Sequence, residues 1–264
     1  MDLIQLKDVR LEVVRIAAPP PAQGAPARAP LVFLHEGLGS VAMWRSRAGF
    51  WPEQVCHATG RAGVVFSRRG YGQSDDIPDV RGTHALPPDY MHHEAWHVLP
   101  ELIETLQLEA PVLVGHSDGG TIALLHAARH PLSACIVMAP HVKVEKVSIQ
   151  AIEAAREAYL NGPLRERLAK FHAHVDTAFW QWNDVWLSPG FQSFDIRADC
   201  QTIHCPVLAL QGVDDAYGTL AQIEDIAPSS EIQRHALPAC GHSPHRDQPA
   251  QTLALITAFL RDKP

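Results

Sequence analysis

Ala110-Pro111-Val112-Leu113-Val114-Gly115-His116-Ser117-Asp118-Gly119-Gly120-Thr121-Ile122-Ala123-Leu124-Leu125 is the stretch that decides the fold. Residues 110–114 form a short apolar, β-branched run, long enough for a buried strand and too short for a helix. Residues 121–129 are rich in helix formers and stop before Pro131. A serine with glycines two positions before and after it, set between a strand and a helix, has the G-x-S-x-G elbow pattern. The turn is so tight that side chains at the flanking positions would meet the neighbouring backbone, and the serine takes a strained conformation. The following helix aims its first N–H groups back at Ser117, which suits a developing oxyanion.

The rest of the chain repeats this strand–loop–helix rhythm. Residues 3–6 and 9–16 are expected to form an edge hairpin, and the Pro/Ala-rich segment 17–30 an irregular surface loop. Leu31-Val32-Phe33-Leu34 is an apolar strand that runs into His35-Glu36-Gly37-Leu38-Gly39-Ser40. A helix or broken helix follows over 44–58, then a strand over 62–66. A helix ending near residue 108 places Trp96, Leu99, Ile103 and Leu106 on one face. Strands are expected at 134–138, 206–210 and 231–235, and helices at 219–226 and 250–261. Strands alternating with helices imply an α/β chain with a mostly parallel central sheet flanked by helices. Residues 143–198 break the rhythm: they hold helical stretches at 149–161 and 164–174 and a cluster of aromatic residues. They are read as a helical cap insertion within a single domain spanning 1–264.

Bulk properties narrow the function classes. Of 264 residues, 46% are hydrophobic and 19% charged, enough apolar material for a sizeable core. A net charge of −7 without a basic block argues against nucleic acid or an anionic membrane as partner. No apolar run approaches the ~20 residues that span a bilayer, and the first residues lack the basic and apolar regions of a signal peptide. The five cysteines are scattered without a C-x-x-C pair, which suits reduced thiols in a cytoplasmic protein.

A serine hydroxyl needs a base, usually a histidine held by a carboxylate. After the strand at 206–210 comes Gln211-Gly212-Val213-Asp214-Asp215, where Asp215 is the chosen acid and Asp214 the fallback. After the last strand comes Cys240-Gly241-His242-Ser243-Pro244-His245, with His242 the chosen base and His245 its competitor. The other histidines are read as structural. Two backbone N–H groups are needed for an oxyanion: that of Asp118, and that of Gly37 or otherwise Leu38.

With these motifs in this order, the chain resembles the α/β-hydrolase superfamily, and within it the esterases that carry a short helical cap. Residues 35–40, Ser67-Arg68-Arg69-Gly70-Tyr71-Gly72-Gln73-Ser74, residues 115–120, residues 210–215 and Gly241-His242 carry the resemblance. It implies a Ser117–His242–Asp215 triad, an acyl-enzyme mechanism and no metal or organic cofactor. The expected function is cleavage of a small carboxylic ester or related acyl compound, with the substrate and oligomeric state left open. Trp180, Trp182 and Trp186 of the cap, with Glu36 and Leu38, are the expected substrate-binding residues.

Two departures stand out. Glu36 occupies a position where many relatives have glycine, and Asp118 one where they often have an apolar residue. Either carboxylate could receive a cationic group, which makes amino-acid esters with a pocket at Asp118 an alternative substrate class. The bland reading has Asp118 capping the helix and Glu36 pairing with Arg68 or Arg69. Two readings from other classes are a non-catalytic ligand-sensing protein and a zinc metalloprotease. The latter rests on His93-Glu94-Ala95-Trp96-His97, a formal H-E-x-x-H match whose helix Pro100 threatens.

Overall fold

Successive residues of a buried strand point to opposite faces, so an uninterrupted apolar run calls for cover on both sides. The computed structural model, which describes residues 1–20 and 28–264, shows this arrangement. The strands are β1 (Asp2–Gln5), β2 (Arg10–Ile16), β3 (Leu31–Leu34), β4 (Gly63–Phe66), β5 (Val112–His116), β6 (Ala134–Met138), β7 (Val207–Gly212) and β8 (Ile232–Leu237). They form one sheet in the order β1-β2-β4-β3-β5-β6-β7-β8. β2 runs antiparallel to β1 and to β4, and the remaining pairs are parallel. Residues 21–27 of the expected 17–30 loop lie outside the described residues.

The helices are α1 (Trp51–Thr59), α2 (Tyr90–His93), α3 (Leu99–Thr105), α4 (Asp118–Ala127), α5 (Lys146–Asn161), α6 (Leu164–Leu168), α7 (Val175–Trp186), α8 (Arg197–Cys200), α9 (Ala221–Glu224), α10 (Pro244–Asp247) and α11 (Pro249–Leu260). On one face Leu31, Phe33, Val112, Val114, Ile136 and Leu208 pack against Val55 of α1 and Ile256 and Phe259 of α11. On the other, Val32, Leu34, Leu113, Val137 and Ala209 pack in a cluster with Met91, Leu102, Ile122 and Leu125. The same cluster continues into Ile152, Phe179, Trp182 and Trp186, so the helices between β6 and β7 share the core of the sheet.

Three local outcomes depart from the expected elements. Residues 45–50 of the expected helix at 44–58 form a short antiparallel ribbon, Arg45–Ser46 against Gly49–Phe50, and the helix begins only at Trp51, with Pro52 in its first turn. The helix before β5 is not uniform: a π-helical stretch, Glu94–Val98, separates α2 from α3. Pro100 has no N–H to return to the carbonyl four residues earlier, and the helix widens just before it instead of ending. The expected helix at 164–174 stops at Leu168. Beyond it the chain is held by the body: Ala173 N–H donates to Gly72 C=O at 2.8 Å, and Gly72 N–H donates to His172 Nδ1 at 3.0 Å. Where the segment between β6 and β7 leaves and rejoins the body, Lys143 bridges Asp195, flanked by Ile196 N–H to Val142 C=O at 2.8 Å and Val144 N–H to Phe194 C=O at 3.1 Å. Among the described residues no helix is long and apolar enough to cross a membrane.

Strand register brings the loops together. Leu34 lies opposite Gly115, His116 opposite Met138, and Met138 opposite Leu210. The loops that leave β3, β5, β6 and β7 therefore emerge side by side at one end of the sheet, where open α/β sheets bind ligands.

Candidate active site

Ser117 is the single residue between β5 and α4, and its backbone sits at φ 53°, ψ −121°. A β-carbon at Gly119 would strike the carbonyl of Leu34, and one at Gly115 would strike the carbonyl of Gly119. The glycines are thus required by close backbone approach, as the spacing suggests. Strain of this kind persists only where the surroundings over-determine it. Here Ser117 N–H donates to Met138 C=O at 2.9 Å and Ser117 C=O accepts from Thr121 N–H at 3.0 Å.

The structure brings Ser117, His242 and Asp215 together from three loops. His242 Nε2 is 2.9 Å from Ser117 Oγ, and His242 Nδ1 is 2.9 Å from both carboxylate oxygens of Asp215. Asp215 also accepts from Gln211 Nε2 at 2.6 Å and Tyr217 N–H at 2.8 Å. Burial pushes its pKa up, but the hydrogen bond and charge of His242 outweigh this and hold it below the usual carboxylate range. Neither competitor joins this contact. Asp214 is exposed, and His245 is buried with its ring 4.8 Å from Trp44 and 5.4 Å from Trp51.

The loop after β3 is pinned from several sides. Arg68 N–H donates to His35 Nε2 at 3.0 Å, which leaves the His35 proton on Nδ1 to be donated to Glu36 C=O at 2.7 Å. Arg68 Nη2 donates to the same carbonyl at 3.1 Å, and His172 Nε2 donates to Leu38 C=O at 3.1 Å. The N–H groups of Gly37 and Asp118, which flank the cavity at Ser117, find no acceptor among the described residues.

Comparison with known proteins agrees with the fold. A sequence profile described as the alpha/beta hydrolase family matches residues 31–255. The chain belongs to the alpha/beta hydrolase family. It is 24% identical over 265 residues to a 2-succinyl-6-hydroxy-2,4-cyclohexadiene-1-carboxylate synthase of Enterobacter sp. (strain 638), covering 90% of this chain and 94% of that one. It is 25% identical over 269 residues to the sn-1-specific diacylglycerol lipase ABHD11 of Danio rerio, covering 88% and 78%. The fold of an esterase from Exiguobacterium antarcticum superposes with a TM-score of 0.71 at 18% identity, over 98% of this chain and 99% of that one.

Within this alpha/beta hydrolase, the two unusual carboxylates have protein partners, though not those expected from sequence. Glu36 pairs with neither Arg68 nor Arg69. Its Oε2 is 3.4 Å from His116 Nδ1 and its Oε1 is 3.9 Å from Arg246. Burial opposes its charge, but His116 and Arg246 together hold its pKa well below the usual range. His116 Nε2 in turn donates to His242 C=O at 2.7 Å, so this pair reaches the backbone of His242. Asp118 occupies the first turn of α4 but makes no capping bond. Its Oδ2 accepts from Tyr90 O–H at 2.6 Å and faces Arg68 Nη2 at 3.8 Å, while Trp186 Nε1 donates to Tyr90 Oη at 3.1 Å. Burial raises the Asp118 pKa despite Arg68.

The cavity at Ser117 measures about 210 Å³ and is lined by Glu36, Gly37 and Leu38 on one side and Trp182 and Trp186 on another. Trp180 does not join them. It is two residues from Trp182 on the same helix, which turns it to a different face, and Arg81 lies over its ring at 3.7 Å. His116 and His141, read from sequence as structural, also line the cavity, with Ile152, Tyr217 and Ser243. The signal for His116 was its place beside the serine; for His141 it was its place after a strand end.

His93, Glu94 and His97 lie elsewhere, lining a separate cavity of about 840 Å³. The two histidine rings are exposed and 5.2 Å apart. Among the described residues no group of three or more His, Cys, Asp or Glu side chains is arranged to hold a metal ion.

Proposed function

We propose that this chain is a serine hydrolase that cleaves a small carboxylic ester or related acyl substrate through an acyl-enzyme on Ser117. The observation that carries the reading is the unbroken contact from Ser117 Oγ through the His242 imidazole to the Asp215 carboxylate, each step at 2.9 Å. His242 takes the Ser117 proton as Oγ attacks the carbonyl carbon, and Asp215 holds the Nδ1–H and stabilises the imidazolium. The N–H groups of Gly37 and Asp118 receive the oxyanion. Collapse of the tetrahedral intermediate expels the alcohol, which leaves with the proton from His242. Water, activated by the same imidazole, then releases the acid and restores Ser117.

Cavity size and lining support a small, partly apolar substrate: Leu38, Ile152, Trp182 and Trp186 supply the apolar wall, and residues 143–198 serve as a cap over the site. The reading includes a cytoplasmic setting, supported by five cysteines that are all free and buried. An amino-acid ester would need a carboxylate free for its ammonium group. Asp118 already faces Arg68, and Glu36 faces His116 and Arg246, which favours uncharged substrates.

The test is labelling with a fluorophosphonate probe together with a panel of p-nitrophenyl and lactone esters. Wild type should form an adduct on Ser117 and turn over short acyl esters. Ser117→Ala should abolish labelling and lower kcat by roughly 10⁴-fold or more. Folded protein that neither labels nor turns over any ester would favour the ligand-sensing alternative.

A further inference from the structure

Two nitrogen groups in the cavity at Ser117 are left without work by the hydrolytic chemistry. His141 follows β6 and is 2% exposed. Its backbone is tied to the elbow: His141 N–H donates to Thr121 Oγ1 and Thr121 O–H donates to His141 C=O, both at 2.9 Å. Thr121 is itself bonded to the Ser117 carbonyl. The imidazole is therefore held rigidly with respect to the serine, its centroid 4.9 Å from that of Trp186 and 5.8 Å from that of His242. Its Nδ1 is buried without a partner, and no described residue bonds its Nε2. The second group is the indole N–H of Trp182, which comes from α7 and rests on Gly37 so closely that a β-carbon there would strike Nε1. It too has no acceptor among the described residues.

A buried imidazole without a hydrogen bond costs stability, and such exceptions in a native interior call for an explanation. Burial drives the His141 pKa down to about 3, with the neighbouring His242 adding to it and Asp215 opposing, so the ring stays neutral near neutral pH. A permanently neutral imidazole is no second general base. At Nε2, the one nitrogen open to the cavity, it offers an N–H or a lone pair according to tautomer, and either suits an uncharged oxygen. The charges nearby point the same way. The Glu36 carboxylate in the same cavity repels an anion, while its own pairing with His116 and Arg246 leaves no call for a cation.

We propose that His141 and the Trp182 indole are specificity-determining donors that hydrogen-bond an uncharged oxygen substituent, a hydroxyl or keto group, on the substrate close to its scissile carbonyl. This rests on the serine hydrolase reading and names the substrate class for it. A site built to bond an oxygen rejects the analogue that lacks one far more strongly than an apolar pocket rejects a small change in size.

The experiment compares kcat/KM for matched ester pairs. One arm sets p-nitrophenyl butyrate against p-nitrophenyl 3-hydroxybutyrate, and the other sets propyl acetate against 3-hydroxypropyl acetate. The two arms place the oxygen on the acyl or the alcohol portion. Wild type should prefer the hydroxylated ester in one arm by about tenfold or more. His141→Phe and Trp182→Phe, which keep ring bulk and remove the nitrogen, should each reduce that preference by about tenfold. His141→Asn, which restores a donor, should recover part of it. His141→Phe should also melt at the same temperature as wild type or higher, since it removes an unsatisfied buried group; a structural histidine would show the reverse. No preference in either arm, or a preference untouched by all three variants while Ser117 still labels, overturns the proposal alone. Loss of Ser117 labelling in wild type overturns the hydrolase reading and this proposal with it.

Discussion

Tyr90 O–H donates to Oδ2 of Asp118 at 2.6 Å, tying the helix before β5 to the residue next to Ser117. The bond explains how a carboxylate is tolerated beside a site where negative charge is proposed to develop. Tyr90 and Arg68 face the carboxylate, and Trp186 backs the tyrosine.

Removing parts of this arrangement should therefore cost stability in a defined order. Tyr90→Phe takes away the hydroxyl that donates to Asp118 and should lower unfolding free energy by about 1–3 kcal/mol. Arg68→Met removes the countercharge from a buried carboxylate and should cost about 3–5 kcal/mol. Urea denaturation at neutral pH measures both, and a smaller loss for Arg68→Met than for Tyr90→Phe would contradict this account. Asp118→Asn retains a polar partner for Tyr90 and should leave the ratio of neutral-ester to amino-acid-ester turnover unchanged.

Backbone strain at Ser117 predicts an inversion of the usual glycine–alanine order. At φ 53°, ψ −121° any side chain is disfavoured, whereas glycine is at ease. Ser117→Gly should be more stable than Ser117→Ala by about 1–3 kcal/mol, although both should be inactive. Differential scanning calorimetry of the two variants decides it.

Buried neutral histidines set the acid limit. Burial leads the causes that hold His35 and His245 well below the ordinary value of 6.5, His126 at about 4 and His141 at about 3. The folded state refuses protons that the unfolded chain accepts, so the stability is full above pH 6.5 and is lost as pH falls toward the folded values. Because several sites act together, the slope below pH 6 should exceed the one-proton figure of about 1.4 kcal/mol per pH unit. Glu36 and Asp215, whose pKa values are depressed, add a further loss in the carboxylate range. Denaturant titrations at half-unit pH steps measure the slope; a flat profile from pH 7 to 5 would falsify the assignment of these histidines as neutral.

The H-E-x-x-H match predicts a metal-dependent enzyme, and the geometry predicts the opposite. His93, Glu94 and His97 line a cavity other than that of Ser117. Dialysis against a chelator and the double variant His93→Ala/His97→Ala should each leave at least half of the ester hydrolysis. Loss of activity restored by zinc would revive the metalloprotease reading.

Sequence alone determined the strand–elbow–helix unit at Ser117 and the order of the loops, because these rest on short-range sterics and on apolar runs that name a buried strand. Tight backbone approach needs glycine at Gly115 and Gly119, and that requirement is written locally. The partners of Glu36 and Asp118 were not written locally. Arg68 or Arg69 was expected to pair with the Glu36 carboxylate; Arg68 bonds only the Glu36 carbonyl and turns its charge to the Asp118 carboxylate, because sheet register sets the loops of β4 and β5 on either side of β3, and the choice is made in space. The same holds for Trp180, turned away from the cavity by helix phase, and for His141, brought beside Ser117 only by the pairing of β5 with β6. Charge pairing and burial act over distances in space, and only the tertiary structure decided that His116 and His141 join His242 at the cavity of Ser117.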